Sequence, residues 1–296
     1  RNVTLRGIRF EGWVSDGDAR HINITHRGTY PSEFAATGVL IENCVFDGSG
    51  FGGTGNKRGI HVQGQAMHQV TVRNCQFFNL PYQAILFAAE GTYVAEDLYI
   101  DGGASNNGFV FNYNDGGRTG RSQTISAKNI YVANGGNYGV QGNTNAATLS
   151  PTNVTIENLV CTGNNSIGVN VEGASVSAST LNLINSYIFN NGRGGTAQVR
   201  AYGLNGLAGG SRTINMNFCT VVDSSTTGSI TNPNYNSIYN PPSDNVGCAT
   251  AVSTQSTAGS AAAVNAYNCI FAGRYALGIT GEAAFAGSYN LIAAPN

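Results

Sequence analysis

Four histidines, His21, His26, His61 and His68, all fall in the first quarter of a 296-residue chain. Arg20, Arg27, Lys57, Arg58, Asp16, Asp18 and Asp47 accompany them, so ionisable side chains that are scarce elsewhere gather here. Histidine beside arginine suits work on an acidic sugar, because imidazole can exchange a proton while guanidinium neutralises a carboxylate. If the chain is an enzyme, its site belongs in this cluster, with His26 or His61 as base, Arg27 or Arg58 against a uronate, and Asp47 close by. The plainer account is a pair of polar surface insertions. Asp16 and Asp18, in the run SDGD, are a weak Ca²⁺ candidate, since two carboxylates without further spaced ligands seldom make a site. No cofactor is implied.

Two further sets of residues recur at fixed intervals. Arg6, Glu42, Arg73, Glu96, Lys128 and Glu157 alternate in sign, as a surface ladder of ion pairs does; the functional alternative makes Glu42, Glu96 or Glu157 half of a glycosidase carboxylate pair. Cations on either side hold each glutamate ionised, which is wrong for a general acid. Tyr99, Tyr131 and Tyr187, with Phe78 and Phe189 two residues further along their repeats, predict an outward aromatic stripe. Such a stripe serves as an interface or a platform for sugar rings.

What positions these residues is a repeat. Aligning the copies of VTVRNCQFFN at 70–79 on the bend residue gives Gly7, Asn43, Asn74, Asp97, Asn129, Asn158, Asn185, Phe218 and Asn268. Gly, Asn and Asp enter left-handed backbone most cheaply, so the column predicts a bend between two strands, with Phe218 the exception. Five residues on, Gly12, Gly48, Asn79, Gly102, Asn134, Gly163, Asn190, Asp223 and Gly273 form a second permissive column. Between the bends, the side chains follow strand period. Leu5, Ile41 and Val72 begin one inward column; Ile8, Cys44 and Cys75 begin another; Phe10, Phe46 and Phe77 begin a third. The gaps carry a further strand-like piece, such as GIHVQG at 59–64, GFVFN at 108–112, YGVQG at 138–142 and IGVNV at 167–171.

Identical columns stacked coil on coil require parallel, in-register strands, and parallel crossovers are overwhelmingly right-handed. The sequence therefore predicts an all-β chain, a right-handed parallel β-helix of about nine or more coils. It is expected to be one domain over 1–296, with insertions near 13–37, 49–57 and 224–262. In these columns the chain resembles the right-handed parallel β-helix superfamily of pectate-lyase-like enzymes, phage tailspikes and bacterial surface proteins. NCIFAG at 268–273 and GSYNLI at 287–292 are similar to the closing repeats of bacterial cell-surface β-helix proteins. Nothing matches the Asn-Thr-Asp, Asp-Asp, Gly-His-Gly and Arg-Ile-Lys set of polygalacturonase-like hydrolases, nor the Asp-Pro-His-Asp of alginate epimerases. The resemblance specifies the coil and leaves the chemistry open.

Composition narrows the setting. Charged residues make up 10% of the chain, glycine accounts for 40 residues, and the net charge of −1 offers no basic face for nucleic acid. No apolar run approaches the ~20 residues that span a bilayer. An extracellular or cell-surface location is expected. Four Asn-X-Ser/Thr sequons begin at Asn2, Asn23, Asn153 and Asn164. Of the six cysteines, Cys44, Cys75, Cys219 and Cys269 share one inward column. There the parallel Cβ vectors about 4.8 Å apart disfavour a disulfide and predict free thiols. Cys248 lies in a loop, and the columns do not settle its state.

Two readings follow. The first is an extracellular structural or adhesive protein that builds a cell-surface or fibrous assembly, possesses a capacity for glycan binding, and acts as a homo-oligomer or as part of a longer surface protein. The second is a polysaccharide-active lyase, hydrolase or tailspike-like depolymerase with its site in the first three coils. Strand-like sequence at Arg1 and Asn296 predicts that each end meets another segment.

Overall fold

The computed structural model describes residues 2–12, 18–26, 37–50, 56–64, 68–102, 107–111, 122–144, 151–173, 178–191, 197–203, 210–222, 250–256, 261–272, 275–280 and 283–293. Among them, regular structure is confined to strands. The strand His68–Phe78 shows how the sequence produces the unit. Val70 and Val72 point inward, Asn74 takes φ 47°, and Cys75 and Phe77 point inward again after this change of phase. A left-handed residue inserted into period-two alternation turns the chain by one face without breaking the ladder.

Among the described residues every pairing between coils is parallel, and the columns are in register: Val72 lies beside Ile41 and Ala95, and Phe77 beside Phe46 and Ile100. Among the described residues the strands form a 16-stranded sheet that bends at the asparagine column and a nine-stranded sheet opposite it. The chain is a parallel β-helix. Its core lies between the two sheets, where Phe10, Phe46 and Phe77 stack with ring centroids 4.9 and 4.7 Å apart. Cys44, Cys75, Cys161, Cys219 and Cys269 are free and buried. Cys248 lies outside the described residues.

The bend column keeps its conformation at Phe218, where φ is 55°. The second column divides. Asn79, Asn134, Asn190 and Gly163 are left-handed, whereas a Cβ on Gly48 would sit 2.6 Å from the carbonyl oxygen of Asn79 and 2.8 Å from the Cα of Leu80. Gly48 is there because the next coil passes too close for any side chain.

Two of the expected insertions contain strands of the coil. Ala19–His26 is a regular strand of the nine-stranded sheet, paired with Lys57–Gly64, because Ile22 and Ile24 supply the same inward alternation as Ile60 and Val62. Thr250–Ser256 likewise occupies a place in that sheet, between Val199–Gly203 and Tyr275–Thr280. The remainder of 13–37, 49–57 and 224–262 lies largely outside the described residues, Asp16 and Arg27 included.

Candidate functional site

The nine-stranded sheet positions the candidate site. Ile22, Ile60, Ile85, Phe109, Val140, Val169 and Val199 are in register and face the core, as do Ile24, Val62, Phe87 and Phe111. Strand period then turns the residue between the two columns outward, giving a row of Asn23, His61, Leu86, Val110, Gln141, Asn170 and Arg200. Leu86 and Val110 are buried yet belong with Ala88 to a cluster separate from the main core, as outward residues must.

At one end of this row, Arg20 and Arg58 are register partners on adjacent strands. Arg20 Nε donates to His61 Nδ1 at 2.6 Å, so the ring proton of neutral His61 sits on Nε2. Arg58 Nε donates to Gln83 Oε1 at 2.6 Å, and its guanidinium lies 4.8 Å over the ring of Tyr82. Among the described residues, one carboxylate faces both arginines: Asp18 Oδ2 is 3.6 Å from Arg20 and 3.7 Å from Arg58. These separations exceed the about 2.7–2.9 Å of a charge-assisted hydrogen bond. Two guanidiniums thus share one loosely held carboxylate, whose side chain is 44% exposed while Arg58 is at 4%. Asp18 therefore marks the open side of the cluster.

A second polar group lies further along the same row. Arg200 donates to Asn170 Oδ1 at 2.8 Å and pairs with Glu172 at 2.5 Å, Gln141 reaches Glu172 at 3.5 Å, and Asn107 donates to Gln141. Among the described residues, the side-chain donors Gln83 Nε2 and Asn170 Nδ2 are buried without a hydrogen-bond partner. Amides and guanidiniums in one row are chemically suited to hydroxyl and carboxylate oxygens, but Gln141, Asn170 and Arg200 are themselves buried.

Of the residues singled out from the sequence, the structure brings Arg58 and His61 together. His26 ends its strand opposite Gly64, and its side chain is not among those described. Asp47 lies elsewhere on the coil, bonded to Arg9 at 2.8 Å and to the backbone of Ser49 at 3.0 Å. The Ser49 contacts, foremost, and Arg9 hold its carboxyl below the usual range. His21 is a packing residue, 5.9 Å from the ring of Phe10 and 6.0 Å from that of Phe46, with its pKa lowered by burial. Glu42 is clamped between Arg73, at 2.7 Å, and Arg6, which together hold it ionised. Neither Glu42 nor Asp47 can serve as the neutral acid that glycoside hydrolysis needs. The residues that sequence reasoning missed are Gln83, Asn107, Gln141, Asn170, Glu172 and Arg200. Aligning Ile60 of GIHVQG with Val140 of YGVQG and Val169 of IGVNV, rather than valine with valine, places Gln141 and Asn170 in the row of His61.

The aromatic residues occupy another face. Tyr99 and Tyr131 are register partners whose rings stack at 4.9 Å and 1°, with Phe78 tilted against Tyr99 at 5.7 Å. Val160 separates them from Tyr187, which stacks on Phe189 at 4.3 Å. The stacked tyrosines occupy one another's faces and offer ring edges and hydroxyls outward.

No family model matches the sequence, and no curated protein matches it. Among solved structures, the chain is similar to the mannuronan C-5 epimerase AlgE6 A-module of Azotobacter vinelandii, at 15% identity and a TM-score of 0.37, over 99% of this chain and 86% of that one. So distant a likeness bears no argument about activity. Among the described residues, no helix is long and apolar enough to cross a membrane.

Proposed function

We propose that this chain is an extracellular, polysaccharide-engaging β-helix that holds an acidic glycan at the Arg20–Arg58–His61 cluster. The observation that carries the reading is the pair of register-matched arginines sharing Asp18 at 3.6 and 3.7 Å. A uronate carboxylate entering beside Asp18 meets the guanidinium of Arg20 and, behind it, that of the more deeply buried Arg58. Neutralising that carboxylate also acidifies the adjacent C–H, but Arg20 already occupies the Nδ1 lone pair of His61, so among the described residues the cluster shows no base for elimination and the proposal is one of binding. The other reading, a building block of a surface assembly, draws its support from the far coils and is taken up below.

Titration calorimetry with oligouronates and with neutral oligosaccharides of equal length tests the proposal. Uronates are expected to bind and neutral sugars to fail, with Arg58→Gln or Arg20→Gln weakening binding at least about tenfold. Equal affinity for charged and neutral sugars, or unchanged binding by both variants, rules the proposal out.

A further inference from the structure

The corner of the coil changes character along the solenoid. In the early coils the position before the bend carries Arg6, Glu42, Arg73, Glu96, Lys128 and Glu157 in register. Beyond them the corner turns apolar. Ile184 follows Glu157, and Tyr267 follows Asn217, before the bend; Tyr187, Ile270 and Leu291 stand two residues after it. Phe218 and Tyr289 occupy the bend itself, 59% and 87% exposed. The stretches 184–189, 217–222, 267–272 and 288–293 contain no charged residue.

The bend is the informative position. Among the described residues, every other non-glycine residue in left-handed backbone is Asn or Asp; Phe218 at φ 55° and Tyr289 at φ 59° are the bulky exceptions. Sterics disfavour them there. Asparagine would serve the coil better, because Asn268, lacking an amide partner at Phe218, bonds instead to Asn217 Oδ1 at 3.3 Å. A ring placed in solvent on disfavoured backbone, outside the core cluster, indicates a surface selected for contact.

At about 200 Å² for a large side chain, the seven residues leave roughly 750 Å² exposed, tyrosine hydroxyls and backbone included. That is close to the ~800 Å² each partner gives to a stable protein interface. We infer that this corner is a self-association surface, on which a second copy of the chain seats its own Phe218–Tyr289 corner about a twofold axis. The occupant follows from complementarity: the early corner is charged, the tyrosines of the middle coils are stacked on one another, and the surface that matches this corner is the corner itself. Aliphatic Ile184, Ile270 and Leu291 fit a protein partner better than a sugar. The inference is independent of the glycan reading.

Analytical ultracentrifugation of the 296-residue chain over an about 100-fold concentration range should show a closed monomer–dimer equilibrium. The Phe218→Asn/Tyr289→Asn double variant should raise the dimer Kd at least about tenfold with an unchanged circular dichroism spectrum. Phe218→Asn alone should unfold no more readily than the parent, which separates lost contact from lost fold. A parent chain that stays monomeric, an open-ended series of polymers, or a double variant that dimerises normally would each overturn the inference. So would a monomer that binds glycan through this corner and loses that binding in the double variant.

Discussion

Asn158 donates its side-chain amide to Asn129 Oδ1 at 2.8 Å, and both residues hold left-handed backbone, at φ 58° and 55°. Asn129 donates in turn to Asp97 at 2.8 Å, and Asn185 donates to Asn158 at 2.8 Å. A single residue type thus meets two demands, since asparagine tolerates the bend and its amide carries both a donor and an acceptor across to neighbouring coils.

Replacing Asn129 separates the two demands. Asn129→Gly keeps the conformation and loses the ladder, whereas Asn129→Ala loses both. We expect a cost of about 1 kcal/mol for glycine, and about 2–3 kcal/mol for alanine, from one or two hydrogen bonds and the left-handed penalty. Guanidinium unfolding midpoints check the order; equal losses would show that backbone conformation contributes nothing.

The coil was legible because its signals are local and repeated. Asn74 and Cys75 recur as Asn43 and Cys44, and each copy confirms the next. Phe218 looks like a lapse in the column, yet its backbone conforms, since the asparagines of flanking coils and the register impose the bend on it. The candidate site was legible only in part. Arg20, Arg58 and His61 stand out as ionisable residues and HINIT at 21–25 reads as a strand, but only its register in the sheet sets Arg20 beside the other two. Gln141 and Asn170 carry no charge, and what makes them notable is their register with His61, which no single segment of sequence displays.

The charge ladder should show in the pH dependence of stability. Arg73 and Arg6 lower the pKa of Glu42 in the folded chain from its ordinary value near 4.5. A carboxyl with a depressed folded pKa contributes stability above its unfolded pKa and loses it as pH falls through the folded value. The difference in unfolding midpoint between the parent and Glu42→Gln is therefore expected to be full at neutral pH and to shrink in the acid range below about 4.5. A constant difference across that range would show that the clamp is not electrostatic.

Thiol chemistry tests the packing of the core. Burial pushes the Cys75 thiol up to about 11 and raises that of Cys161, so neither forms thiolate at neutral pH. An aromatic disulfide reagent should leave both unmodified in the native chain and modify both in denaturant, as peptide mapping reads out. Modification of Cys75 under native conditions would mean that the coil opens on the timescale of the assay.

Gly7 and Gly48 stand in different columns for different reasons, and substitution should tell them apart. Gly7 has φ 67° with no atom within 4 Å of an added Cβ, so it supplies conformation alone. Gly48 supplies space, because its added Cβ would meet the Asn79 carbonyl at 2.6 Å and the Leu80 Cα at 2.8 Å, both backbone atoms of the next coil. Gly7→Ala should therefore cost about 1–2 kcal/mol, the penalty of a Cβ in left-handed backbone. Gly7→Asn should recover much of that, since asparagine tolerates the bend and would bring an amide next to Asn43 in the adjoining coil. No residue type rescues Gly48. Gly48→Ala and Gly48→Asn should both cost about 2–4 kcal/mol, because two coils must separate to admit any side chain. Unfolding midpoints of the four variants decide it. Rescue by asparagine at 48 as well as at 7 would show that backbone conformation, and not the closeness of the coils, is what both glycines supply.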